Sequence, residues 1–444
     1  MLDLLIHHAE TPQGVFDLGI AEGIIVECAP SIAGSARETM NATGLLVWPG
    51  IIDAHVHFNE PGRAEWEGLR TGPQAFAAGG GTTFFDMPLN STPPTANVRT
   101  LGEKRRAAEA KSVLDFGLWG ALIPGNHDDM EPMAAAGVIG FKAFLSDSGM
   151  PEFPHVSADV LKKGMKRAAA VGRVVGLHAE DNELTRQLTA AARAAGSKSV
   201  RAYLDSRPVE AELQAIAMAT ELAGETGCAL HIVHVSSPEG LHLVRTAQAA
   251  GVDVTAETCP HYLLLNDLDV ERIGAMAKCA PPIRDEVRRQ QLWQALASGE
   301  VQTLGSDHSP SPPDLKKSAD FFDVWGGIAG CQHGFCMTLA EGLLDHALPP
   351  ALLSNLLSKN VATRFGIAHR KGSIAPGKDA DLTIMKLESG TEIRPENLLT
   401  RHRISAYTGR SNQCRIVRTL CRGRTVWPIP KNKSAAGGQW IKPA

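Results

Sequence analysis

The chain has 444 residues and a formal net charge of −4, from 44 basic and 48 acidic side chains, with charged residues at 21%. No Lys/Arg block accompanies that balance, which excludes an electrostatic footprint for nucleic acid or an anionic membrane and leaves a small neutral or weakly charged molecule as the expected partner. The length exceeds one ordinary compact domain and suits a barrel with an accessory module.

The opening residues, Met1 to Ile6, lack a positively charged leader, and no apolar run reaches the length of a membrane span, so a cytoplasmic location is expected. Residues 1–49 offer strand-like pieces (LDLLI, GVFDLGIAEGIIVECA) between turn signals. Residues 379–428 do the same. Neither end alone has enough strands to bury a face, so both are expected to combine into one composite β-sandwich over 1–49 and 370–430 that stabilises and takes no part in chemistry. Lys431 to Ala444 reads as a polar tail, ordered only if it docks.

Residues 50–369 keep repeating one unit, a β-branched or aromatic run followed by an Ala/Leu/Glu/Arg-rich helical stretch. Strands are predicted near 45–58, 81–88, 113–122, 138–145, 174–180, 229–236, 252–258 and 301–307. Eight such units with near-continuous apolar strands predict an α/β fold, a closed parallel (β/α)8 TIM-like barrel rather than an open doubly wound sheet. The eight cysteines (Cys28, Cys228, Cys259, Cys279, Cys331, Cys336, Cys414, Cys421) show no C-x-x-C spacing and read as reduced, buried thiols. Gly79-Gly80-Gly81 is a turn before a strand and lacks the phosphate-loop pattern.

The chemistry of such barrels sits at the C-terminal ends of the strands. There the first strand carries His55 and His57, the fourth Lys142, the fifth His178 with Glu180, the sixth His234 and the eighth Asp307. Alternation places His55 and His57 on one side, where both can grip one metal ion. His178 and His234 supply a second imidazole pair, and Asp307 a carboxylate beside strand one once the barrel closes. Four histidines, a lysine and an aspartate at the same end of different strands have no comparable structural explanation. Lys142 must lose its proton to live beside divalent cations, and carbamylation by carbon dioxide converts it into an anionic bridging ligand (N6-carboxylysine). Two cations so held give a metal-bound hydroxide able to hydrolyse an amide, with Asp307 as both ligand and general base. Zinc, manganese, cobalt, nickel or iron all suit the donor set. His231 stands an odd number of residues before His234 and is expected to face the helix layer. The remaining histidines are expected to be solvated or structural, and the role of His261 is open.

These residues resemble the cyclic amidohydrolases (dihydroorotase, hydantoinase, dihydropyrimidinase, allantoinase) along almost the whole chain, from Asp53-Ala54-His55-Val56-His57 to Lys371-Gly372-Ser373-Ile374-Ala375-Pro376-Gly377-Lys378-Asp379-Ala380-Asp381. Within that family the runs 58–63 with 65–68, 86–90, 140–145, 257–262, and 305–310 leading to 325–330 resemble the allantoinases most. The resemblance implies a binuclear centre on His55, His57, Lys142, His178, His234 and Asp307, a homotetramer or dimer, and opening of the hydantoin ring of allantoin to allantoate. Dihydroorotases of this type place an arginine two residues after the second histidine, where this chain has Asn59, and a neutral substrate needs no such cation. Asn59, Asn90, Cys279, Ser309 and Gly330 are the expected substrate contacts. Hydantoinase or dihydroorotase specificity on the same centre is one alternative, and a non-catalytic scaffold homologue another.

Overall fold

Gly50 divides the predicted first strand in two. A Cβ there would fall 2.2 Å from Thr82 Oγ1, so only glycine lets the chain turn from one sheet into the next at this point. The computed structural model describes residues 1–429 and 436–444. Before Gly50 run β1 (Leu2–Thr11), β2 (Gly14–Ala21), β3 (Ile24–Ala29), β4 (Ala36–Asn41) and β5 (Leu46–Pro49). After it come β6 (Ile51–Val56), β7 (Gly81–Asp86), β8 (Asp115–Leu118), β9 (Gly120–Ala121), β10 (Gly140–Phe144), β11 (Val174–His178), β12 (Leu230–Ile232), β13 (Val254–Thr258) and β14 (Thr303–Leu304). The chain closes with β15 (Leu382–Glu392), β16 (Ser411–Cys421) and β17 (Arg424–Trp427).

From β6 to β14 the strands pair in parallel, in the orders β6-β7-β8 and β9-β10-β11-β12-β13-β14. The barrel closes where Val56 bridges His308 and where His57 N donates to the His308 carbonyl at 2.7 Å. All eight predicted barrel strands are present, several shorter than expected. The third is interrupted at Trp119, whose indole enters the barrel interior and donates to the Ala54 carbonyl at 2.9 Å. The ring has room because Gly140 and Gly176 lack the Cβ that would stand 2.6 and 2.8 Å from it. Trp119, Phe85, Val174, Val233 and Phe365 fill this interior, while the outer faces of the strands pack on the surrounding helices.

His231 corrects its prediction. Its neighbours Leu230 and Ile232 pack outward, and its ring meets interior Phe365 at 5.4 Å and approaches Glu257 at 3.6 Å. β12 ends at Ile232 and the backbone turns left-handed at His234 (φ 42), so counting residues back from His234 does not follow one pleat.

The two chain ends meet in one eight-stranded sheet, β17-β16-β15-β5-β1-β2-β3 with β4 on β1, rather than in two separately bonded layers. It encloses its own core of Leu4, Ile6, Leu18, Val47, Leu382 and Ile384. Lys371 pins this sheet to the barrel, its ammonium lying 2.6, 2.8 and 2.6 Å from Asp115, Asp379 and Asp381. Of the predicted tail, residues 431–435 lie outside the described residues, and 436–444 dock. Phe116 N donates to Gln439 O and Ile441 N to Phe116 O, and Ile441 is buried in the interior cluster.

Candidate metal centre and active site

Five strand ends bring the predicted ligands together. The rings of His55 and His57 lie 5.5 Å apart at the end of β6. Asp307, just beyond β14, places Oδ1 3.3 Å from His55 Nε2 and 3.4 Å from His57 Nε2. At the ends of β11 and β12, His178 Nδ1 and His234 Nε2 face each other at 3.0 Å, and the His55 and His234 rings are 5.3 Å apart. On β10, Lys142 pairs with Gly176, two residues before His178, and its Nζ stands 4.9 Å from the Phe144 ring centre. Lys142 is fully enclosed, whereas Asp307, 9% exposed, opens to the cavity above.

The backbone is bent to achieve this. Asn59, Asn90, His234 and Asp307 all have φ between 42 and 64°, in the left-handed region, and each lies beyond the C-terminal end of a barrel strand. Such conformations are held against a local penalty of about 1–3 kcal/mol each and cluster at functional sites. They also explain why β12 and β14 are short.

Outer partners fix the tautomers. His55 Nδ1 bonds the Glu257 carboxylate at 2.8 Å, and His178 Nε2 bonds Glu180 at 2.8 Å. Glu180 is itself paired with Arg207. With those nitrogens donating, His55 Nε2 and His178 Nδ1 turn lone pairs toward the centre. Burial pulls His57, His178 and His234 below the ordinary histidine range, which favours the neutral, ligating form. Burial alone would raise the Asp307 carboxyl, but His55 and His57 reverse that and hold it well below the usual carboxylate range. Burial pulls Lys142 down to about 7.

The donor set fits divalent cations. A lone pair on His55 Nε2 faces an anionic oxygen at 3.3 Å, two imidazole nitrogens confront each other at 3.0 Å, and Lys142 Nζ, buried, has no hydrogen-bond partner among the described residues. Acceptors converging on one point are stable together only around positive charge.

Over the centre opens a cavity of about 400 Å³, bounded by Leu89, Phe144, Tyr203 and the loop around Trp325. Asn90, Cys279 and Ser309 are on its wall, with Asn90 Nδ2 donating to Ser309 Oγ at 3.3 Å. Asn59 and Gly330 stand outside that wall. The Asn59 amide donates to the Pro310 carbonyl at 3.2 Å, and Gly330 N–H is spent on His308 Nδ1 at 3.2 Å. His261 is also behind the wall, buried in the short helix Pro260–Leu264. Sequence reading missed Glu257 as the anchor of His55, although a lone carboxylate inside the run V-T-A-E-T was a usable signal. Tyr203, Arg207 and Lys278, also on the wall, carry no local pattern that would reveal them.

The chain matches the Amidohydrolase family over residues 46–426. It is 48% identical over 427 residues to an allantoinase of Solibacter usitatus, covering 96% of this chain and 93% of that protein. It is also 48% identical over 444 residues to an allantoinase of Rubrobacter xylanophilus, covering 99% and 98%. Among solved structures, L-hydantoinase (dihydropyrimidinase) from Arthrobacter aurescens superposes with a TM-score of 0.96 at 32% identity over 100% of both chains. D-hydantoinase (dihydropyrimidinase) from Thermus sp. gives 0.91 at 26% identity over 99% of each. With this family match across most of its length and these ligands gathered at one end of a parallel barrel, the chain belongs to the amidohydrolase family.

Proposed function

We propose that the protein is a hydrolase that opens the hydantoin ring of allantoin to give allantoate. The convergence of His55, His57, His178, His234 and Asp307 beneath a cavity sized for a small ring carries the reading. It is supported by near-full-length identity to proteins named allantoinase. His55, His57, Lys142, His178, His234 and Asp307 would hold two divalent ions, zinc foremost. When bound, such ions polarise a carbonyl and lower the pKa of water. Lys142 is the candidate for carbamylation, because its buried amine has no hydrogen-bond partner among the described residues.

The protein's own groups then have defined work. Asp307, ionised and open to the cavity, accepts the proton of the attacking water as its oxygen adds to the ring carbonyl carbon. It returns that proton to the ring nitrogen as the C–N bond breaks. Asn90 and Ser309 orient the ring, and Glu257 and Glu180 keep His55 and His178 aimed. A hydantoinase specificity is the second reading, favoured by the TM-score of 0.96 to L-hydantoinase. We further infer a cytoplasmic homo-oligomer, tetramer or dimer. All eight cysteines are free, and no described helix is long and apolar enough to cross a membrane.

The deciding experiment is a panel of allantoin, dihydroorotate, hydantoin and dihydrouracil on metal-loaded protein. Allantoin is expected to be the best substrate. Turnover of dihydroorotate with allantoin untouched overturns the assignment.

A further inference from the structure

The segment after Asp307 crosses the open end of the barrel and supplies Phe322, Val324, Trp325, Gly326 and Gly327 to the cavity wall. Apart from the short turn Pro313–Lys316, its residues 310–327 have no regular secondary structure, so their carbonyl groups need partners from elsewhere. Two lysines provide them. Lys278 Nζ donates to the carbonyl oxygens of Phe321, Phe322 and Val324 at 2.7, 3.1 and 2.6 Å. Lys316 Nζ donates to those of Ala275, Trp325 and Gly327 at 3.3, 2.7 and 2.8 Å. The backbone closes the same unit, with Gly327 N donating to Lys278 O at 2.7 Å and Trp325 N to Leu315 O at 2.9 Å.

Each ammonium thus has three acceptors, all of them main-chain oxygens, and both side chains are buried. Burial pulls Lys278 down to about 7 and Lys316 to about 8, so each charge is kept against a desolvation penalty. Methionine would fill similar space without it. Phe321 and Val324 pack into the core and Trp325 against Trp66, so side-chain packing seats one face of the loop. What the charges secure is its backbone, which has almost no regular hydrogen bonding of its own and whose other face is the cavity.

We propose that Lys278 and Lys316 are positioning residues for substrate. Their ammonium groups clamp the loop 317–327 in its closed shape, so that Trp325 to Gly327 form a fixed wall over the bound ring. Neither lysine takes part in bond making. Loss of a clamp loosens the wall, which weakens substrate capture while leaving the metal ligands and the proton-transferring carboxylate in place. The identity of the ring rests on the function proposed above; the clamp does not.

The test uses Lys278→Met and Lys316→Met in the metal-loaded full chain, with metal content, kcat and KM for allantoin measured against the parent. Each variant is expected to raise KM by about tenfold or more, with kcat within about twofold and metal content unchanged. Chymotryptic cleavage after Phe321 and Phe322, measured without substrate, is expected to be at least about tenfold faster in each variant and to slow again when allantoin is added. A folded variant with parental KM and parental cleavage overturns the clamp. So does a fall in kcat together with metal loss. If the parent itself leaves allantoin untouched, the proposed function fails, and the substrate-free cleavage rate still decides the clamp. Should Lys278→Met not fold, Lys316→Met decides alone.

Discussion

His55 Nδ1 and the Glu257 carboxylate lie 2.8 Å apart, joined across 202 positions of sequence, and both are buried. Glu257 makes His55 a donor on one side and therefore a ligand on the other. Glu257→Gln keeps the shape and removes the charge. It is expected to weaken metal retention by about 10- to 100-fold, read by competition with a chelator. Parental retention would mean that His55 is oriented by packing alone.

Asp307→Asn retains an oxygen for coordination and loses the base. The expected result is a fall in kcat of about 10²- to 10⁴-fold. A variant that keeps most of its kcat assigns proton transfer to another group.

Lys142→Ala removes the amine proposed to bridge the two ions. Metal analysis is expected to find fewer than two ions per chain, and reconstitution of the parent without bicarbonate is expected to lower both metal content and activity. Two ions in the alanine variant would exclude the bridging role.

Lys371 sits among Asp115, Asp379 and Asp381, buried like them. Lys371→Met leaves Asp115 to Arg422 and Asp379 to Arg370 but strands the Asp381 carboxylate, and is expected to destabilise the fold by about 3–5 kcal/mol at neutral pH. The sign of its pH dependence follows from burial, which holds Asp381 above the ordinary carboxylate range even with Lys371 present. Without the ammonium, the folded form binds protons that unfolded carboxyls, titrating at about 4, have already released, so the variant gains stability as the pH falls from 7 toward 5. Thermal unfolding at the two pH values checks this. Equal midpoints in variant and parent would show that the cluster stabilises nothing.

Ile441 comes from the docked end of the chain and is buried among Trp119, Val361 and Phe365 in the barrel interior. Ile441→Ala is expected to lower stability by about 2–4 kcal/mol, measured by urea unfolding. A loss below about 1 kcal/mol would mark the tail as loosely seated.

The barrel was legible because its strands are apolar runs at regular intervals, and its centre because His55, Lys142, His178, His234 and Asp307 fall at one end of them. Periodicity stops where the chain leaves the regular pleat. The left-handed turn at His234 misplaced His231, and the backbone at Asn59 turned its amide toward Pro310 rather than the cavity. Tyr203 and Lys278 could not be foreseen, since what brings them to the wall is the packing of helices and loops around the barrel. The lysine and aspartates of 371–381 were visible as a motif, and only the fold shows them meeting around one charge.

The pairing of β5 with β15, from Pro49 opposite Leu382 to Leu46 opposite Met385, has a consequence for biosynthesis. The amino-terminal strands leave the ribosome with one edge unsatisfied, and the complementary edge is made only after the entire catalytic barrel. Through that interval the nascent chain carries an open template for association with other chains, a demand on chaperones that the finished molecule conceals. Shortening the gene from its 3′ end therefore exposes the beginning of the polypeptide rather than trimming an appendage.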